Sequence, residues 1–246
     1  MTDYGVYRFS KREWMENIFL YGILAGCIAY LFYRSAAAFV LCLLFSGKFL
    51  KMRQAEYCRR RRRKLESQFL SAIQAVAASL RAGYSVENAF LDAAVELEKI
   101  YGEEEMIIKE FRSISTQLQM NRNLEELLDD LAQRSNAEDI RNFAEVFTAA
   151  KRTGGNLVAI MEHTAFSIAQ KEETKREIET TLSAKKLEQN IMSLVPAGIL
   201  FYVQLVSPGF LDGMYHNVAG VLVMSLCLAV YGAAYLWGRK IVEIEV

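Results

Sequence analysis

Charge is missing from three long stretches of this chain, and that absence constrains its fold more than any other feature. Residues 18–47 hold one charged residue, Arg34, while residues 191–211 and 217–237 hold none. Uncharged apolar runs of about 17–25 residues are long enough to cross a bilayer as helices. Between them lies a polar stretch, 65–189, in which apolar residues recur in steps of three and four. Leu65, Phe69, Ile73, Val76 and Leu80 form one set; Val86, Phe90, Ala93, Leu97 and Ile100 a second; Ile107, Phe111, Ile114 and Leu118 a third. That spacing puts each set on one face of a helix, and such faces bury themselves against one another. The expected fold is an all-α membrane protein with four transmembrane helices and a cytoplasmic bundle of six antiparallel helices.

The first span is expected at 17–33. A second, shorter one follows at 36–50, for which a re-entrant or interfacial segment is the alternative. The last two are expected at 191–207 and 217–237. Ala36-Ala37-Ala38 mimics a signal-peptide cleavage site. Cleavage there would carry Arg59, Arg60, Arg61, Arg62, Arg63 and Lys64 across the membrane, against the rule that basic residues near spans stay cytoplasmic. The same rule puts both termini and the central stretch in the cytoplasm and the 207–216 loop outside. Residues 51–64, with eight basic side chains and one acidic, read as a juxtamembrane collar facing anionic lipid headgroups. The run has no interleaved aromatics and no base-reading fold, so nucleic acid is not an expected partner. The chain thus divides into a segment 1–50 with the first two spans, the collar, a bundle 65–170, a helical stalk 171–190, a span pair 191–238 and a tail 239–246.

Turn residues punctuate the bundle. Gly83 is expected to end the first helix, and Ser85 to cap the second. Gly102 ends that one, and Glu103, Glu104 and Glu105 open the third, where acidic side chains suit the positive helix start. Asn123 with Glu126 three residues on resembles a capping box for a short fourth helix. Ser135-Asn136 is expected to start the fifth. Gly154, Gly155 and Asn156 break the chain before the sixth, with Asn156 as its cap. No stop signal follows for many residues, so that helix is expected to run through the stalk into the third span.

Motifs for chemistry are lacking. There is no phosphate-binding glycine loop and no zinc-protease motif. The two histidines, His163 and His216, have no ligand-spaced neighbours, and Cys27, Cys42, Cys58 and Cys227 have no disulfide or metal spacing. The spans hold no carboxylate, lysine or histidine at mid-depth, which a proton-coupled transporter usually needs. The expectation is a non-enzymatic chain without cofactor or metal. Glu103, Glu104 and Glu105, and Glu125, Glu126, Asp129 and Asp130, supply oxygens but nothing that fixes six or more ligands. Solvated helix surface is the better reading for both clusters. Residues 65–170 hold 17 acidic and 9 basic side chains, a surplus of eight negative charges. The two clusters are therefore the candidate partner surface.

Two segments carry a resemblance. Leu80-Arg81-Ala82-Gly83-Tyr84-Ser85-Val86-Glu87-Asn88-Ala89-Phe90 resembles the helix–glycine–helix signature of the type II secretion system F domain. Phe143-Ala144-Glu145, then Ala150-Lys151-Arg152-Thr153-Gly154-Gly155-Asn156-Leu157 and Ile160-Met161, resemble that domain's second element. One such domain with two spans before it and two after it is similar to the TadB/TadC branch, the platform proteins of Tad-type pili. The resemblance implies a bacterial inner-membrane platform that couples a cytosolic secretion ATPase to pilin assembly, as a homodimer or with a paralogous platform protein. A membrane-anchored signalling or adaptor protein is the alternative, but it calls for an outer ligand domain that these short loops do not provide.

Overall fold

The computed structural model describes residues 4–5, 7, 9–44, 46–154, 156–207, 209–210, 212–215 and 217–242. Among these residues every regular element is a helix. The α-helices are α1 (Lys11–Ile28), α2 (Ala36–Leu44), α3 (Ser46–Arg81), α4 (Val86–Tyr101), α5 (Met106–Gln119), α6 (Leu124–Ser135), α7 (Glu138–Thr153), α8 (Leu157–Val206) and α9 (Val218–Val242). Two compact units share them. One comprises Met1–Arg8 and Gln54–Thr174, the other Phe9–Arg53 and Lys175–Val246.

The first unit is built on the stripes read from the sequence. Leu65, Phe69, Ile73, Val76 and Leu80 of α3 are all buried, as are Phe90, Ala93 and Leu97 of α4 and Ile107, Phe111 and Ile114 of α5. Leu124, Leu127, Leu128 and Leu131 of α6 join the same cluster with Ile140, Phe143 and Phe147 of α7 and Met161 of α8. α4 packs along α5 and α6 along α7. Aromatic rings run through the middle. Phe69 meets Phe143 edge-on at 5.3 Å, Phe143 stacks on Phe147 at 6.0 Å, and Phe90 lies between Phe147 at 6.3 Å and Phe111 at 5.7 Å. Ile100 departs from its stripe and is exposed. It sits in the last turn of α4, where Tyr101 packs against the core and its hydroxyl hydrogen-bonds Ser71 at 2.8 Å.

Three helix starts differ from expectation. The first bundle helix does not begin at residue 65. α3 is continuous from Ser46, because after Gly47 no Gly or Pro occurs before its end at Arg81 and Arg, Lys, Gln and Glu are good helix formers. Ser135 belongs to α6; Asn136 follows it in left-handed conformation, and Ala137 is the residue before α7. Glu105 occupies the cap position of α5 and Glu103 and Glu104 lie in the preceding turn, so no acid sits in that helix's first turn.

In the second unit α1 passes into a π-helical turn, Ala29–Tyr33, which stops at Arg34 in left-handed conformation. Wider turns of this kind loosen the backbone ladder. Here the Leu31 carbonyl accepts from the Tyr215 hydroxyl at 2.9 Å and from the Gln204 amide at 3.3 Å. Tyr33 hydrogen-bonds Ser225 at 2.8 Å, and Arg34 pairs with Asp212 at 3.0 Å. The polar side chains of these apolar helices therefore serve as interhelical hydrogen bonds. Among the described residues, three helices are long and apolar enough to cross a membrane: Lys11–Tyr33, Leu157–Val206 and Val218–Ile241. α2, the arm expected to give the remaining span, has nine residues, and residue 45 between it and α3 lies outside the described residues. α8 runs unbroken for 50 residues with Pro196 inside it, as the missing stop signal implied.

Candidate partner surface and its glycine turns

The two turn motifs hold the bundle helices in register. At the end of α3 the Tyr84 N–H donates to Ser79 O at 3.2 Å and the Gly83 N–H to Leu80 O at 3.0 Å. That is the paired closure of a left-handed helix terminus, and Gly83 has φ +91°. Ser85 then accepts from the Asn88 N–H at 3.4 Å and caps α4. Gly154 closes α7 at φ +68°, its N–H on Ala150 O. Asn156 accepts from the Ala159 N–H at 3.2 Å as the cap of α8. Gly155 lies outside the described residues. A Cβ at Gly83 would meet no atom within 4 Å, so its cost is conformational only. Gly83→Val should lose roughly 1–2 kcal/mol and Gly83→Asn clearly less, because asparagine tolerates this region. Equal thermal midpoints for the two variants would remove the argument.

The expected capping box at Asn123 does not form. Asn123 makes no side-chain cap to the backbone. Its amide N–H donates to Glu126 Oε1 at 3.4 Å, so that carboxylate faces the Asn123 side chain and not its backbone N–H. A similar closure does appear one turn earlier, where Asn121 at φ +61° ends α5.

The basic run of α3 is engaged with protein. Arg60 pairs with Glu56 at 2.6 Å and Lys64 with Glu105 at 2.8 Å. The Arg61 guanidinium lies 4.7 Å over the Tyr4 ring. Arg59 and Arg63 also have partners, and the Nε of Arg62 is buried without one among the described residues.

The acidic clusters divide in two. Glu105 accepts from Lys64 and from Gln68, and those hydrogen bonds hold its carboxyl below the usual carboxylate range. Burial pushes Glu125 up, but its own backbone N–H and Lys151 at 3.0 Å outweigh that and lower it. Asp130 binds Arg134 at 2.7 Å. These three acids belong to the bundle's own structure. Glu103, Glu104, Glu126 and Asp129 are the outward members. Glu104 meets Lys109, whose hydrogen bond lowers its pKa; Glu126 meets Arg122 at 3.6 Å; Asp129 accepts from Gln133; Glu103 reaches Arg112 at 3.9 Å. A carboxyl depressed on folding stabilises the fold above its unfolded pKa and stops doing so as pH falls through the folded value. Lys151→Met should therefore be less stable than the natural chain at neutral pH. The gap should close as pH drops below about 4.5, the unperturbed glutamate value. Denaturation midpoints measured across that range check the sign.

One charged site escaped the sequence reading altogether. Glu110 and Arg134 form a two-pronged ion pair, at 3.0 and 2.7 Å, with side chains 6% and 16% exposed. Tyr4 reaches into the same place. Its hydroxyl donates to Glu110 at 2.9 Å and its N–H to Arg134 O at 2.9 Å. Burial, then the Glu110 charge, pushes the Tyr4 phenol well above its ordinary value. Burial works against the Arg134 charge, but hydrogen bonds to Glu110 and Asp130 prevail and raise its pKa. Further along, Cys58 donates to Tyr4 O and Gly5 O, Gln54 to Tyr7 O, and Tyr7 stacks on Tyr57 at 5.4 Å. The N-terminal residues thus form a strap against α3. The aromatics Tyr4, Tyr7 and Phe9, close together ahead of the first apolar stretch, were the signal.

No group of three or more His, Cys, Asp or Glu stands together as a metal site among the described residues. His163 is exposed, and His216 lies outside the described residues. The arrangement offers surfaces and joints, and its class, among the described residues, is an all-helical protein with helices long and apolar enough to cross a membrane. The chain belongs to the family of the type II secretion system (T2SS) protein F, whose family model matches residues 72–205, more than half of its length. Both turn segments lie inside the match, which ends one residue short of the end of α8. No curated protein and no solved structure matches the chain. Proteins of this family are inner-membrane platforms of secretion or pilus machinery, work with a secretion ATPase and other components, and are not enzymes.

Proposed function

We propose that the chain is a Tad-type platform subunit, with four spans and both termini in the cytoplasm, that couples a cytosolic secretion ATPase to pilin assembly. It works as a homodimer or beside a paralogous platform protein. The observation that supports this reading best is a single matched segment, 72–205, with apolar helices on both sides of the polar bundle. α2 with the first residues of α3 supplies the second span of the first hairpin. The basic run of α3 sits beside anionic lipid, and the acidic bundle receives the motor.

The structure changes which residues test the docking idea. Reversing Glu125 or Asp130 would break internal ion pairs. Glu126→Lys with Asp129→Lys leaves those intact. Capture of the ATPase by the full chain should fall in this variant and weaken with added salt in the natural chain. Capture that is unchanged in the variant and insensitive to salt would sink electrostatic docking. For the topology, Gly213→Cys in a chain without its native cysteines leaves the Arg34–Asp212 pair in place. An impermeant thiol reagent should reach it from outside; reaction only from the cytoplasmic side would rule the four-span arrangement out.

A further inference from the structure

Residues 9–15 fold into an open apolar cleft of about 310 Å³ lined by Phe9, Lys11, Trp14 and Met15. It lies where α1 begins. Trp14 and Met15 are exposed, and further along the same helix Phe19, Leu20, Ile23 and Leu24 are exposed too. All of these belong to the membrane-crossing stretch Lys11–Tyr33 or its first turn. The cleft is therefore continuous with a surface that faces acyl chains.

Its rim is polar in one sense only. Among the described residues, neither the Lys11 ammonium nor the Trp14 indole N–H has a hydrogen-bond or ion-pair partner. The charges beside them are already committed. Arg12 pairs with Glu16 at 3.0 Å, and Glu13 accepts the Ser10 N–H at 2.8 Å. An apolar floor with a cation and an N–H donor at its edge suits an amphiphile whose head is an anion. Tryptophan and lysine at the end of a span favour the headgroup level.

We propose that this cleft binds an anionic phospholipid of the adjoining leaflet. Its phosphate sits on Lys11 and Trp14, and its first acyl carbons lie against Met15 and the apolar side chains that follow it on α1. The site is separate from the arginine run, whose described contacts are with protein. The proposal rests on Lys11–Tyr33 lying in a bilayer and not on which machine the chain serves.

The sequence has two tryptophans, Trp14 and Trp237. In the full chain carrying Trp237→Phe, Trp14 is the sole indole and reports which lipid touches it. The chain is placed in phosphatidylcholine vesicles with a minor fraction of chain-brominated lipid, either phosphatidylglycerol or phosphatidylcholine. Brominated phosphatidylglycerol should quench Trp14 with an apparent affinity about fivefold higher, the effect of one basic residue near an anionic headgroup. Lys11→Gln should bring the two lipids level, and Lys11→Arg should keep the preference. Equal quenching in the Lys11 chain, or a preference that survives Lys11→Gln, overturns the proposal.

Discussion

Arg134→Met should lower the unfolding midpoint of the bundle by roughly 10–20 °C, a loss of about 3–5 kcal/mol. The reason is what the substitution leaves behind. Glu110 is 4% exposed and has both oxygens on the guanidinium of Arg134. Without it the carboxylate stays buried with the Tyr4 hydroxyl as its remaining partner at this site. Desolvating an uncompensated charge costs far more than the pair itself contributes. Glu110→Leu added to Arg134→Met should therefore regain part of the loss, since no buried charge remains, although the buried Tyr4 hydroxyl then lacks its acceptor. Heat denaturation of the full chain in micelles, followed by protease sensitivity, reads both variants. A fall below about 1 kcal/mol for the single variant would show that water reaches Glu110 and that the site is not closed.

Phe90→Ala should cost a similar amount, about 3–5 kcal/mol, for an unrelated reason. Phe90 is fully buried and touches two other rings, Phe111 and Phe147, on different helices. Truncation removes the transfer energy of the ring and leaves a cavity that three helices cannot close together. Phe90→Leu keeps most of the volume and should cost less than half as much. If alanine and leucine prove equally tolerated, the core around α4 repacks freely and the aromatic chain has no structural weight.

These two sites also show what sequence could and could not reveal. Phe90 was legible because it repeats with Ala93 and Leu97 at helical spacing, and only burial selects for that pattern. The turns at Gly83 and Asn156 were legible because left-handed termini and caps accept few residue types. Glu110 and Arg134 were not, although both keep the phase of their helices' apolar stripes: Glu110 is three residues after Ile107, and Arg134 three after Leu131. A charge in such a position looks solvated until its partner is known, and that partner is 24 residues away. The acids of the two clusters were equally hard to tell apart. Glu105 and Glu126 look alike in sequence, yet one is tied to Lys64 and Gln68 of α3 and the other meets only the short local contacts of Arg122 and Asn123. Pairings across helices are properties of the fold, and composition cannot rank them.

The strap has a consequence in time. α4 with α5, and α6 with α7, are neighbours in sequence, and contacts of that local kind form within microseconds to milliseconds. Tyr4 bonds Arg134, 130 residues further along the chain. At a translation rate of about 5–20 residues per second, that partner is roughly 6–26 seconds behind it on the ribosome. Tyr4 thus stays hydrogen-bonded to water while residues 9–53, the rest of α3 and the helices α4 and α5 are made. The strap can close no sooner than the synthesis of α6 allows, however fast the local contacts form. Its closure can occur only after residues 9–53 have been made, so the strap records the order in which the protein was built.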